Sequence, residues 1–250
     1  MPLRFVARIG FRQYRGNVQV GVFKISAIER PHWTMKVVAG RVFHRCAVRT
    51  RWLRESDDLA EILVEYAADR RPGDTVAVSE KVALLLSGRA IPVEKVPISR
   101  DARFLSRFVR PHHDTLGLSI PVKMEWVLRQ IGRPRVYAAA LVAGMTRPFG
   151  LKGMFFHVAG DLARTVDGGT PPYDHLLFPP FPVDDATTLC AELEAKLDSG
   201  VAIVDINDFG GSVRAVSPRA LPADILARVL ADNPLGQRST GRPFVLVRPN

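Results

Sequence analysis

The chain has 250 residues, 47% of them apolar and 24% charged, which is enough to bury a full core without disulfides or structural metals. Two cysteines, Cys46 and Cys190, lie far apart without metal-ligand spacing, which argues against a disulfide framework or a Cys-based zinc site and points to a reducing compartment. No apolar run approaches bilayer length and no signal-type apolar stretch follows the N-terminus, so a cytoplasmic protein without a membrane span is expected.

The net charge of +10 is concentrated at the front. Residues 1–54 hold 12 Lys/Arg against one acidic residue, Glu29, and the remainder is close to neutral. Such an arm could bind nucleic acid, an acidic lipid surface or a polyanion through counterion release. The plainer expectation is a solvated, Arg-rich extension over residues 1–40, and nucleic-acid binding is not favoured. Val18, Val20 and Val22 alternate with polar or small residues, so part of this extension is expected as β structure. Met35 to Thr50 gives two further strand-like runs broken at Ala39-Gly40.

From residue 41 onward a single α/β (or α+β) domain is expected, with mixed sheets and helices. Ser56 is positioned as an N-cap, with Asp57 and Asp58 in the first turn and Leu59, Ile62, Leu63, Tyr66 and Ala67 on one helical face. "RRPGD" ends that helix, "TVAVS" reads as a buried strand, and "EKVALLLSGR" reads as a second helix. Ser99 signals a third helix, and "VKMEWVLRQIG" a short one, with Trp126 in the core. "VYAAALVAGM" is apolar without a decisive period, whereas "GMFFHVAGD" predicts a strand that delivers Asp161 at its end. A Pro-rich loop, the helix "ATTLCAELEAKLDSG", a buried strand from Val201, the helix "PADILARVLAD" and a closing strand "RPFVLVRP" complete the chain.

Three segments carry candidate chemistry. Val201 to Val204 reads as a strand buried on both faces, and Asp205 and Asp208 follow at its carboxyl end, where ligands bind in sheets covered by helices. Their hard oxygens suit Mg2+ or Mn2+, and Gly210 and Gly211 would let a phosphate approach the backbone. An Asx-turn, in which the aspartates only cap backbone groups, is the competing explanation. Gly160-Asp161 marks a second acidic strand end, with Asp167 ahead of another glycine pair. Ser79, Glu80 and Lys81 open a helix directly after a buried strand, which suits an anion, although the spacing is not that of a P-loop. His112, His113 and Asp114 read as a solvated loop rather than metal ligands, and no serine-hydrolase elbow is present.

Glu55 to Arg89, together with "VAGD", "LLFPPFPVDD", "VAIVDINDFGG" and "NPLGQRSTGRPFVLVR" in the same order, resembles the glutamate ligases of deazaflavin coenzyme (F-420) biosynthesis over roughly residues 41–250. Relative to that pattern, Phe209 replaces a threonine and the segment before Asn233 is shorter. The resemblance implies a GTP- and divalent-metal-dependent amide ligase that joins an amino acid, L-glutamate by analogy, to a small carboxylate. It places Asp161 and Asp208 at metal positions with Asp205 as an extra candidate, and implies a homodimer. Lys81 and Arg89 would balance charge on the transferring phosphoryl group, while Ser79, Glu80, Gly160, Gly210 and Gly211 would line the nucleotide. The alternative is a non-catalytic relative that binds a nucleotide or another anionic ligand.

Overall fold

The computed structural model describes residues 13–14, 17–18, 32–109, 117–208, 210–236 and 241–250. The chain divides into two compact units, Met1–His32 and Trp33–Asn250. In the first, β1 (Gln13–Tyr14) and β2 (Asn17–Val18) form a short antiparallel ladder. Val20 and Val22, from the alternation that predicts β structure in the extension, lie outside the described residues, as do His112, His113 and Asp114.

In the second unit, β3 (Trp33–Val38) and β4 (Arg41–Val48) form a hairpin. Its turn is built from Ala39 at φ 51° and Gly40 at φ 75°, the left-handed pair that matches strand twist. Residues 33–40, grouped with the basic extension on sequence, are therefore part of the main sheet. Next come α1 (Leu59–Tyr66), β5 (Thr75–Ser79), α2 (Glu80–Leu86), β6 (Ile91–Pro92) and α3 (Arg100–Ser106). The helical segment continues as α4 (Pro121–Ile131), α5 (Arg133–Thr146), α6 (Met154–Ala159) and α7 (Leu162–Thr165). Then follow β7 (Asp167–Gly168), β8 (Leu176–Phe178), α8 (Val183–Leu197), β9 (Gly200–Asn207), β10 (Gly210–Val216), α9 (Ala223–Val229) and β11 (Phe244–Pro249).

The fold is α/β. A six-stranded sheet runs β10-β9-β5-β11-β4-β3; the β5–β9 pair is parallel and its other neighbours are antiparallel. Side chains alternate between the faces, as the two-residue period of a strand requires. Val76, Val78, Val201, Ile203 and Leu246 pack under α1, α2 and α8, whereas Ala77, Ala202, Val204 and Val245 pack against α9. A second core gathers α3 to α7 around Met124, Trp126, Val127 and Val136. The small sheet β6-β8-β7 joins the two cores: Leu176 and Phe178 enter the first, and Leu177 the second. Cys190 is wholly buried in the first core, and burial pushes its thiol up to about 12, so it acts as an inert apolar filler.

Two sequence expectations are corrected. The first helix is capped two residues later than expected, because the Asp58 carboxylate accepts from the Glu61 N–H while Asp57 is engaged by Arg51 and the Arg54 N–H. "GMFFHVAGD" is not a strand. Its aromatic and β-branched residues favour a strand locally, but they form α6, bracketed by Gly153 at φ 79° and Gly160 at φ 93°. The ambiguous "VYAAALVAGM" is helical within α5. Among the described residues, no helix is long and apolar enough to cross a membrane.

Candidate functional site

The parallel pairing of β5 with β9 sets Ser79, the last residue of β5, opposite Val204, three residues before β9 ends at Asn207. Chain then leaves β5 directly into α2 through Glu80 and Lys81, while β9 delivers Asp205. Asp205 continues the Val201, Ile203 row, which is the face that carries α2.

A third contribution comes from β7. The Asp167 carboxylate pairs with Lys81 through Oδ2 and, 3.1 Å away, with Lys123 Nζ through Oδ1, which also accepts from the Gly168 N–H at 2.8 Å. Lys123 projects from α4 with only 4% of its side chain exposed. A Cβ on Gly168 would come 3.0 Å from Lys123 Cε, so that glycine leaves room for the buried lysine. On the other flank, Arg214 of β10 reaches Glu80, with Nε 3.0 Å from Oε1 and Nη2 3.3 Å from Oε2.

The two aspartates are perturbed in opposite directions. Asp205 is exposed at the surface, yet crowding by the surrounding protein, reinforced by the charge of Asp167, raises its carboxyl above its usual value against the pull of Lys81 and Arg214. Burial also works against ionisation of Asp167, but Lys81 and Lys123 outweigh it and hold this carboxyl below the usual range. Asp167 nevertheless keeps 45% of its side chain in solvent. The Asp205 carboxylate takes no hydrogen bond or ion pair from the described residues, so its charge is balanced only at longer range. Two carboxyl groups pushed apart at a strand end is the pattern of sites that handle protons, cations or transferring charge.

The other sequence candidates are distributed elsewhere. Arg89 lies beyond the far end of α2, paired with Asp185 at 2.7 Å and stacked 5.4 Å from the Phe181 ring centroid. Glu80 is a buried strut, holding Arg214 and accepting from the Phe181 N–H at 2.7 Å. Ser79 occupies the cap position of α2 without a side-chain capping bond. Asp161 is exposed at the start of α7, and the neighbouring Gly160 has Arg135 Nη2 3.3 Å from where its Cβ would be. Asp208 accepts from Asn233 Nδ2 at 2.6 Å, beyond the end of α9, which covers the face opposite Asp205. Gly210 and Gly211 open β10, where a Cβ on Gly211 would collide with the Asp205 carbonyl and lie 2.7 Å from Ile206 Cα. The glycine there is required by the close approach of β9 and β10.

The structure thus unites Lys81 and Asp205 but not Asp161, Asp205 and Asp208. Among the described residues, no three His, Cys, Asp or Glu side chains form a group able to hold a metal ion by themselves. The members that sequence reasoning missed are Lys123 and Arg214, and sequence marks Asp167 only as standing ahead of a glycine pair, without an assigned role. Asp167 had a signal in its position before Gly168-Gly169, and Lys123 one in being, with Glu125, one of two charges among the apolar residues of "VKMEWVL"; Arg214 had none.

An open hollow of about 420 Å³ at the opposite end of the sheet is lined by Trp33, Asp69, Arg70, Arg71 and Arg248. Its main charges are committed internally. Arg248 binds Asp74 in a fork of 2.9 and 2.7 Å and stacks 4.4 Å over Trp33, while Arg70 Nε donates to the Leu197 carbonyl at 3.0 Å. In comparisons with known proteins, the chain matches no family model and no curated protein.

Proposed function

We propose that this protein is a nucleotide- and divalent-metal-dependent amide ligase that joins an amino acid, glutamate by resemblance, to a small carboxylate, with its site at the carboxyl ends of β5 and β9. The juxtaposition of Asp205, Asp167 and Lys81 supports this function. Asp205 offers hard oxygens without a protein donor, and Asp167 lies close enough to raise it, so the pair fits an Mg2+ or Mn2+ ion completed by water and phosphate oxygens. When bound, such an ion would offset charge on the nucleotide phosphates. Asp205 and Asp167 would hold it; Asp161 and Asp208, the positions implied by resemblance, stand apart from this cluster in their local contacts.

The protein's own groups have defined parts. Lys81, half exposed, can exchange Asp167 for a phosphate oxygen, and Lys123, buried, keeps Asp167 oriented while it does so. Glu80 and Arg214 brace the strand ends. In the reaction, the acceptor carboxylate attacks the terminal phosphorus of GTP, releasing GDP and forming an acyl phosphate; the amine of the amino acid then displaces phosphate and loses a proton as the amide forms. The partners on this proposal are GTP, a small carboxylate, an amino acid and a second copy of the chain, in the cytoplasm.

Calorimetric titration of GTP in the presence of Mn2+ tests the site, and phosphate release with candidate carboxylates tests the chemistry. Asp205→Asn and Asp167→Asn should each weaken Mn2+-dependent GTP binding at least ~10-fold with an unchanged far-UV spectrum, the scale expected for losing a metal ligand or its orienting partner. Wild-type protein that fails to bind GTP with Mn2+, or variants that bind it as well as wild type, would refute the site. A non-catalytic binder is the second reading, favoured by Lys81 and Lys123 already neutralising Asp167. Tight binding without phosphate release from any acceptor would select it.

A further inference from the structure

Of the three tryptophans, Trp126 is buried and Trp33 is half-buried with Arg248 stacked 4.4 Å from its ring centroid, whereas Trp52 is 52% exposed. Trp52 is nevertheless held in place. Its carbonyl accepts from Arg51 Nη1 at 3.1 Å, and Arg51 forks onto Asp57 at 2.6 and 2.8 Å. The next residue, Leu53, is buried, and its carbonyl accepts from Tyr173 Oη at 2.8 Å. Tyr173 meets the Trp52 ring edge to face, with centroids 6.0 Å apart. An indole fixed from one side and open to water elsewhere is a preorganised contact surface, because ordering it costs little more when a ligand arrives.

Two independent routes set this ring beside the site at Lys81. The first runs along the main sheet. β4 and β5 both pair antiparallel with β11, and β9 is parallel to β5, so the carboxyl ends of β4 and β5 share one edge with Asp205. On that edge the Ser79 N–H donates to the Pro243 carbonyl at 2.9 Å, and the Thr50 N–H to the Gly241 carbonyl at 2.9 Å. Trp52 follows Thr50 by two residues, and the exposed Arg242 lies between the two bonds. From β4 to β9 is three strand spacings, about 14 Å, a length that an extended nucleoside triphosphate spans. The second route runs through the small sheet. Asp167, paired with Lys81, opens β7. Two residues on, a Cβ on Gly169 would collide with the Tyr173 carbonyl, so the turn that carries Tyr173 is folded onto the end of β7.

We propose that Trp52 is the stacking platform for the base of the nucleotide, with Arg242 beside the phosphates that lead to Lys81. The assignment rests on the nucleotide-dependent reading above and adds the position of the ring. Stacking engages the π-face that every base presents, so Trp52 should serve ATP as well as GTP and leave the choice between them to other groups.

Titration calorimetry in Mn2+ with two probes, GTP and inorganic tripolyphosphate, separates the base from the phosphates. Wild type should bind GTP more tightly than tripolyphosphate, and Trp52→Ala should weaken GTP at least ~5-fold while leaving tripolyphosphate unchanged. Trp52→Phe keeps a ring and should retain most of the GTP affinity. Fluorescence adds a readout that a merely structural role would not move. GTP should quench the emission of wild type but not that of Trp52→Phe, whose remaining tryptophans are Trp33 against Arg248 and the buried Trp126. GTP binding that is equal in wild type and Trp52→Ala, or quenching that survives in Trp52→Phe, overturns the platform and leaves the metal site standing. An equal loss of both probes in Trp52→Ala overturns it too, since Trp52 would then only support the fold. Wild type that binds both probes equally well gains nothing from the base and overturns the platform alone. Wild type that binds neither probe overturns the platform and the nucleotide site together.

Discussion

Removing the Glu80 carboxylate should destabilise the fold more than any ordinary surface substitution. Glu80 is 6% exposed and accepts three hydrogen bonds, one from the Phe181 N–H at 2.7 Å and two from Arg214 at 3.0 and 3.3 Å. Glu80→Ala leaves the Arg214 guanidinium facing an apolar gap, and breaking a buried pair from one side costs about 3–5 kcal/mol. Arg214 keeps 20% of its side chain in solvent and can partly rehydrate, which places that share near the lower end, ~3 kcal/mol. The abandoned Phe181 N–H adds about 1 kcal/mol. A loss of ~4 kcal/mol is a large part of the 5–15 kcal/mol typical of a domain, and at 2–4 °C per kcal/mol it lowers Tm by roughly 8–16 °C. Glu80→Gln keeps an acceptor for Phe181 and the side-chain volume, so it should cost only about 1–2 kcal/mol, the charge-assisted part of the Arg214 bonds. Urea unfolding followed by far-UV circular dichroism, with equal slopes confirming comparable unfolded states, measures both. Glu80→Ala within 1 kcal/mol of wild type, or equal losses for the two variants, would refute the strut.

Two further outcomes follow from the strand ends. Because Asp205 has a raised carboxyl, the folded protein holds its proton more tightly than the unfolded chain does; its contribution to stability is complete below the ordinary value near 3.8 and is lost as pH rises through the folded-state value. Asp205→Asn should therefore gain stability over wild type progressively from acid to neutral pH, read as the Tm difference across a pH series; a difference that is flat with pH, or that favours wild type at neutrality, would contradict it. Gly211→Ala should destabilise by ~1–3 kcal/mol, because its Cβ would force β10 away from the Asp205 carbonyl and Ile206, and an unchanged urea midpoint would show that the hairpin yields without strain.

Much of the frame was legible in sequence because short-range chemistry decides it. Ala39-Gly40 reads as the break between two strands, the acidic run at residues 57–58 as a helix start, and "TVAVS" followed by Glu80 as a strand entering a helix. The failures lie where local preference and packing disagree. Phe155, Phe156 and Val158 favour a strand by composition, but they pack into the second core as part of a six-residue helix lying on α5, and tertiary contact overrides the propensity. The expected strand put Asp161 at a strand end, whereas in the structure it is Asp167 that lies on a strand, β7. Both sit beside glycines in the same stretch, and only the pairing of β7 with β8, which sets Asp167 opposite Phe178, turns one of them toward Lys81.

The same long-range placement explains how the site carries charge. Sequence reads Asp205 as a carboxylate just past a strand; it lies inside β9, which runs on to Asn207, and its acidity depends on groups from four other segments: Lys81 after β5, Asp167 of β7, Lys123 of α4 behind it and Arg214 of β10. Lys81 is the shared member. It lowers Asp167 as its ion-pair partner and also opposes the rise at Asp205. Drawing Lys81 onto an incoming anion would therefore leave both aspartates under-compensated at once, and a divalent cation arriving with that anion restores the balance at the same two oxygens. Anion and cation are thus expected to bind with positive coupling, each tightening the other by the same factor. Lys81→Met severs that link: it should weaken GTP and, because Asp167 is freed, strengthen Mn2+ measured alone. Equal weakening of both ligands would mean that Lys81 supports the site only as a structural ion pair.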